Sequence, residues 1–563
     1  GRAVNCVNSV LPATVSRRYP IPTQHGPFAD HTLLDRGMGF PILRPISTTQ
    51  RKYGTRSWID LGADILNDPL MTRCLLFLSS VSLLFPALAN AENRKVIRIT
   101  VDRGEDVGQA FGSLFEARSE DGTLVLGAGF QNAYNTRYRA DRHELQFFVR
   151  PTDGKRDYEV TELPRPNDTL AGSYLFSQDG VVYSTYGGVK KWDPVTEVWL
   201  DATASGGGTN ETMRVAHGVL KFGDTRVDFD DETILSPPEV GNYQLFFYAN
   251  GHLCFYHVNR PDGPYKPWTD DSEGFSKLYA CPWKPGDGKV DLSRATVMTL
   301  PIIGETTFAW GVLGDQIVTG SNVGGVYIYH EDAWRMIVEP LLGTSYQLYS
   351  SVIERDRLLM GHYPTGRLFA FDGSEMSDLP GSPPVPDGVS TGAREAQTTI
   401  LYGGEVFTGV WPWGELWRFH PDNKRWVFQQ RMFDHPELSA AITHPYDIEN
   451  KGNDPGNLWG QRVTSLVTLG ADLLVATSAK SPVEWKADRA LWLAPDKWKS
   501  YGKIYRITLP GHLSSVAKWT EGPTTFEFGF GDQKLTIRQD GELIGEAAMV
   551  DKWQESLSFP RVL

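Results

Sequence analysis

The chain is 563 residues long and acidic, with 68 Asp and Glu against 55 Lys and Arg for a net charge of −13, and 40% of it is hydrophobic. That charge balance disfavours a general nucleic-acid binder, which would be basic. The length admits either several domains or one large repeat-built unit of about 300–400 residues with flanking segments.

Residues 1–70 show no internal repeat and no sustained period, and are expected to be a disordered upstream extension of the reading frame rather than native protein. Met71-Thr72-Arg73 opens a different kind of segment. An apolar run over 74–88 follows, and Ala89-Asn90-Ala91 closes it with a small-x-small pattern. This predicts a secretory signal peptide over 71–91, with cleavage before Glu92. The apolar run is too short for a stable membrane insertion, and Cys74 precedes it, which argues against a lipoprotein anchor. A secreted or periplasmic product is expected. Residues 1–91 hold nine basic and five acidic side chains, so the remainder carries −17.

From residue 92 onward the chain reads as short strands separated by glycine or acidic turns. Residues 112–126 and 144–149 form a first unit, with a polar loop over 131–143. A second unit runs through 173–176, 180–183 and 187–194 to a Trp-bearing strand at 197–200. A short unit at 213–229 and a longer one at 243–281 come next. The latter holds Cys254 and Cys281, the only cysteines after the leader, read either as a disulfide or as two buried thiols. Further units start near 308, 346, 397 and 463. Insertions at 259–274 and 434–457 are the long loops where function is expected to sit. The tail reads as strands with an Asp540-Gly541 hairpin turn.

Two of these units repeat one motif 48 residues apart. Gly361-His362-Tyr363-Pro364-Thr365-Gly366-Arg367-Leu368-Phe369-Ala370-Phe371 is matched by Gly409-Val410-Trp411-Pro412-Trp413-Gly414-Glu415-Leu416-Trp417-Arg418-Phe419. Third strands recur near 144, 189, 226, 278, 326, 368, 416 and 504. A 40–50-residue repeat of strands and glycine turns predicts an all-β fold, a single β-propeller of seven or eight four-stranded blades over 92–563. The unit at 213–229 is short enough to be an insertion instead. The C-terminal strands, or the strand at 96–100, are expected to complete the closing blade. The Trp192-Asp193-Pro194 turn followed by Trp199, with Trp334 and Trp426 in like positions, resembles kelch-type repeats.

No serine-hydrolase, P-loop, dinucleotide or zinc-protease signature occurs, and no cofactor is indicated. The loops are rich in aromatic, amide and guanidinium groups, a mixture suited to sugar faces and their hydroxyls or carboxylates. Candidate ligand contacts are Arg137, Arg139, Arg214, Arg260, His362, Tyr363, Trp411 and Trp413, with the arginines as clamps for uronate or sulfate. In export, fold and residue types the chain is similar to propeller-fold polysaccharide lyases, which remove a proton beside a uronate with His and Tyr. That resemblance would make Tyr256 and His257 the base and acid of a β-elimination on an acidic glycan. The competing reading is a non-catalytic propeller that binds glycan or protein at the cell surface. A structural divalent cation is considered at His435, His444, Asp447 and Asp454.

Overall fold

The computed structural model describes residues 95–550 and 553, apart from 105–112, 136–137, 203–211, 224, 262–264, 343–346, 390–392, 440–443, 446–457 and 481–492. The expected extension and signal peptide lie outside the described residues.

Seven antiparallel sheets follow one another along the chain, six of them four-stranded and one (V below) widened to six strands by a hairpin from residues 134–139. Their first strands are Leu175–Gln178 (sheet I), Thr212–Val215 (II), Asn242–Ala249 (III), Thr307–Leu313 (IV), Gln347–Glu354 (V), Glu395–Tyr402 (VI) and Gln461–Leu469 (VII). First strands of neighbouring sheets pack against each other from II through VII, and that of VII packs against that of I. The first strands are therefore innermost, and the arrangement is an all-β propeller. Seven of the eight expected third strands hold the third place in these sheets, including the short unit at 213–229, which is a regular four-stranded sheet.

The expected first unit is different. Its strands Phe115–Arg118, Leu124–Phe130 and Glu144–Pro151 pair with His512–Val516 from the far end of the chain. Lys95–Asp102 forms a second sheet with Pro523–Gly531, Lys534–Gln539 and Glu542–Ala548. The two sheets bury a shared core of Ile99, Leu126, Phe147, Leu513, Phe528 and Ile537, making a small sandwich. Neither the tail nor the strand at 96–100 completes a propeller sheet; Glu159–Leu163 does so, as the fourth strand of VII. The Asp540-Gly541 turn forms as expected, with both residues at positive φ.

Cys254 and Cys281 sit on paired strands, but the register sets Cys281 opposite Leu253 and Cys254 opposite Ala280. Adjacent residues of a strand point to opposite faces, so the two thiols lie on opposite sides of sheet III, are not joined as a disulfide and are buried.

The sandwich sits over the turns that join first to second strands. Phe148 lies against Gly404, where an added Cβ would stand 2.2 Å from its ring at φ +74°. Ser514 donates to the Gly470 carbonyl (2.7 Å), Asp179 N–H to Asp141 (2.8 Å) and Arg355 to Glu116 (2.8 Å). From this seam the hairpin over 131–143 enters the propeller. Tyr134 and Asn135 pair with Ser351 and Ser350 on the inner edge of sheet V. Asn132 Oδ1 accepts from Ile353 N–H (2.6 Å), while Asn135 accepts from Thr399 N–H (2.9 Å) and donates to its carbonyl (3.3 Å). Innermost strands expose one row of backbone groups toward the axis, and this hairpin satisfies part of that row.

Candidate functional site

The face opposite the sandwich is where first strands begin and second strands end. The repeated motif lies there, in the turns after the second strands of V and VI. Its chain geometry stitches neighbouring sheets: Pro364 O accepts from Arg394 N–H (2.7 Å) and Pro412 O from Gln461 N–H (2.6 Å). Arg394 immediately precedes the first strand of VI, and Gln461 begins that of VII. Gly366 and Gly414 take φ of +67° and +63°, a backbone only glycine adopts cheaply.

This role governs the aromatic candidates. Trp411 and Trp413 are completely buried. His444 packs edge-on to Trp411 (5.0 Å), Lys480 Nζ lies 4.6 Å from its ring, and Arg431 covers Trp413 (5.3 Å). Neither ring is an open platform for a sugar. His362 is buried on Phe369 with Nδ1 2.8 Å from the Thr365 hydroxyl, and burial, aided by Arg367, pulls its pKa down to about 3. Tyr363 is half-buried beside it.

Tyr256 and His257 are neighbours on one strand and point to opposite faces of sheet III. Tyr256 packs edge-on to Trp310 in the interior, where burial first and nearby Glu305 second push its phenol well above the ordinary value. His257 lies 2.7 Å from the Val240 carbonyl, and burial lowers its pKa. Arg260 stacks on Tyr265 (5.4 Å) on the open face. Arg214 stands on the sandwich side, paired to Asp141 (2.9 Å) and Asp179 (2.8 Å). The structure thus does not bring Tyr256, His257, Arg214 and Arg260 to one position. Arg137 and the side chain of Arg139 lie outside the described residues, as do Asp447 and Asp454. His435 contacts Asp434 (2.9 Å) and His444 the Ala393 carbonyl (3.1 Å). Among the described residues no three metal-ligating groups gather.

A different set converges at the open mouth of the channel. The first strands of sheets IV to VII each carry a β-bulge one to three residues in, at Phe308, Tyr349, Gln397 and Thr464. Phe308 and Tyr349 touch across sheets (5.4 Å), so the bulge residues border the axis. Just outside them Glu395 and Arg462 form a buried pair (2.9 Å), and Lys480 Nζ stands 4.0 Å from Glu395. Burial opposes the charge of Arg462, but Glu395 and the nearby Tyr349 and Tyr174 outweigh it and raise its pKa. Gln397 is buried, and neither end of its amide has a hydrogen-bond partner among the described residues. Buried amides are rarely left so. Tyr174 and Tyr186 stack at a tilt nearby (5.5 Å), and Asn135 of the hairpin lies deeper in the channel.

Sequence reasoning passed over Glu395, Gln397, Arg462 and Lys480. The available signal was the shared place of 308, 349, 397 and 464 in aligned repeats, one of which carries an amide where the two before it carry rings. A separate cleft of about 320 Å³ lies at the edge of sheets II and III, lined by Pro237, Pro238, Glu239, Tyr243, Lys289 and Leu292.

No known family profile matches the chain, and no curated protein matches it. Solved structures with fold-level similarity include the WD40 β-propeller domain of Doa1 (12% identity, 62% of this chain and 97% of that one, TM-score 0.33). YCF48 bound to D1 peptide is similar at 10% identity over 63% of this chain and 98% of that one, TM-score 0.33. BamB from Moraxella catarrhalis is similar at 10% over 73% and 96%, TM-score 0.30. The propeller assignment rests on the sheet order described above.

Proposed function

We propose that this chain is an exported, non-catalytic β-propeller that binds an acidic glycan at the channel mouth bordered by sheets IV to VII and I. The unpartnered buried amide of Gln397 carries the reading. An amide with its donor and acceptor ends unfilled, beside the charged Glu395–Arg462–Lys480 cluster and tyrosine rings, matches a sugar that offers hydroxyls and one carboxylate. Arg462 donates both to Glu395 and to the Lys480 carbonyl (3.2 Å), so it fixes the neighbours that would meet ligand. The leader over 71–91 supports export.

Binding is favoured over β-elimination because elimination needs an acid and a base within reach of one substrate position. Tyr256 is held protonated in the interior and His257 faces the other way.

The test is a panel of neutral, uronate-bearing and sulfated oligosaccharides titrated calorimetrically, with absorbance followed for an unsaturated uronate. Heat from uronate-bearing ligands without new absorbance is expected, with the heat lost in Lys480→Ala. Rising absorbance would establish a lyase, and silence across the panel would overturn glycan binding.

A further inference from the structure

Sheets II and III face each other with strands of unequal length. Those of sheet II have three to five residues, whereas the first three of sheet III have eight each. The shorter sheet covers only part of the longer one. Phe222 of sheet II stacks on Phe246 (5.5 Å). Tyr243, nearer the start of the same strand, packs instead on Phe255 (4.7 Å) and His257 (4.8 Å) of its own sheet. The space left is the cleft of about 320 Å³, lined also by the chain that crosses from sheet II to sheet III. Its walls are held by the protein itself. His257 Nε2 lies 2.7 Å from the Val240 carbonyl on the crossing, and Val290 N–H donates to the Ile234 carbonyl (2.8 Å) on the other side.

The lining has three chemical parts. Ile234, Leu235, Pro237, Pro238, Val290 and Leu292 form apolar walls, and the two prolines bring no N–H that would need an acceptor. Tyr243 is 4% exposed, and its hydroxyl makes no hydrogen bond among the described residues. That hydroxyl is not sealed off, so it opens on the cleft. Buried phenols usually find a partner. Glu239 and Lys289 stand at the rim, both exposed and neither in an ion pair among the described residues. Pockets for small ligands begin at about 300 Å³ and combine apolar walls with a few polar groups. The cleft therefore has room for one small amphiphile. A fatty acid would set its carboxylate against Glu239, and a neutral apolar ligand would leave the Tyr243 hydroxyl unpaired. A molecule with an ammonium, a carboxylate and an apolar body uses every polar group present.

We propose that this cleft binds a free α-amino acid with a branched or aromatic apolar side chain. The side chain lies among the apolar walls, the carboxylate meets Lys289 and accepts from the Tyr243 hydroxyl, and the ammonium meets Glu239. The site belongs to sheets II and III rather than to the sheets that border the channel mouth, so it is independent of glycan binding.

The experiment is calorimetric titration of the full chain with L-leucine and L-phenylalanine, and with N-acetyl-L-leucine and L-leucinamide, which each lack one charge. Saturable one-to-one binding of leucine or phenylalanine is expected, with both blocked forms weaker. Tyr243→Phe keeps the ring packing and should weaken binding about tenfold or more, the effect of a lost hydrogen bond to a charged group. Lys289→Ala and Glu239→Ala remove exposed charges and should weaken it about two- to fivefold. No saturable heat with either amino acid would overturn the proposal. So would blocked forms that bind as tightly as leucine, which would make the cleft an apolar groove only, or unchanged binding in Tyr243→Phe.

Discussion

Replacing Asn135 with Ala tests whether the hairpin is part of the propeller's own bonding. The Asn135 side chain closes both backbone groups of Thr399, which is completely buried on the inner edge of sheet VI. Without it the Thr399 N–H loses its acceptor, at about 1–3 kcal/mol for a buried orphan, and the carbonyl loses a donor worth about 0.5–1.5 kcal/mol. The expected loss is about 2–4 kcal/mol. Asn132→Ala orphans Ile353 N–H on sheet V and should lose about 1–3 kcal/mol. The two partners belong to different sheets, so the double variant should lose nearly the sum. Urea unfolding followed by tryptophan fluorescence measures each. Hydrogen exchange then localises the effect, since peptides containing Thr399 should exchange faster in Asn135→Ala and those containing Ile353 should not. Single variants within about 0.5 kcal/mol of the parent, or unchanged exchange at Thr399, would refute the bonding scheme.

The remaining predictions concern the seam, the cysteines and pH. Gly404→Ala places a methyl 2.2 Å from the Phe148 ring at φ +74° and should destabilise by about 2–4 kcal/mol, part of it recovered by Phe148→Leu, in denaturant titrations. Alkylation of the unfolded chain without reductant should label both Cys254 and Cys281 after oxidative storage; a mass two daltons lower and no label would contradict the register. Burial lowers His143 to about 2 and His362 and His512 to about 3, so the unfolded chain alone takes those protons and stability is lost as pH falls from about 6.5. Burial raises Glu144 to about 8 and Glu305 to about 7, so the folded chain alone keeps those protons and stability is lost as pH rises from about 4.5 toward 8. The midpoint of thermal unfolding should therefore peak near about pH 6.5, and Glu144→Gln should flatten the alkaline side.

The propeller was legible in the chain because its repeat is local. Each third strand follows its glycine turn within a few residues, and the motif at 361–371 and 409–419 shows the same aromatic-Pro turn twice. The structure gives that turn a reason, since the Pro364 and Pro412 carbonyls hold the next sheet in place. The same reason removes Trp411 and Trp413 from the surface, which the motif alone does not reveal. The sandwich was harder to see. Its strands at 144–151 and 512–516 meet across more than three hundred residues, and 144 mimics a third strand in spacing. The hairpin over 131–143 reads as a polar surface loop, because Gln131, Asn132 and Asn135 bond to backbone more than two hundred residues away. Polar side chains that cap an inner strand edge look, in sequence, like side chains that face solvent. The channel-mouth residues were hidden for the converse reason: Glu395, Gln397 and Arg462 sit within strands whose neighbours are apolar or hydroxylic.

The central claim is tested most directly by a crystal structure of the chain with a uronate-bearing oligosaccharide. The account predicts sugar density at the channel mouth, with a hydroxyl on the Gln397 amide and the carboxylate beside Lys480. Density at the outer cleft near Tyr243, or an empty mouth under a ligand concentration that saturates binding in solution, would contradict it.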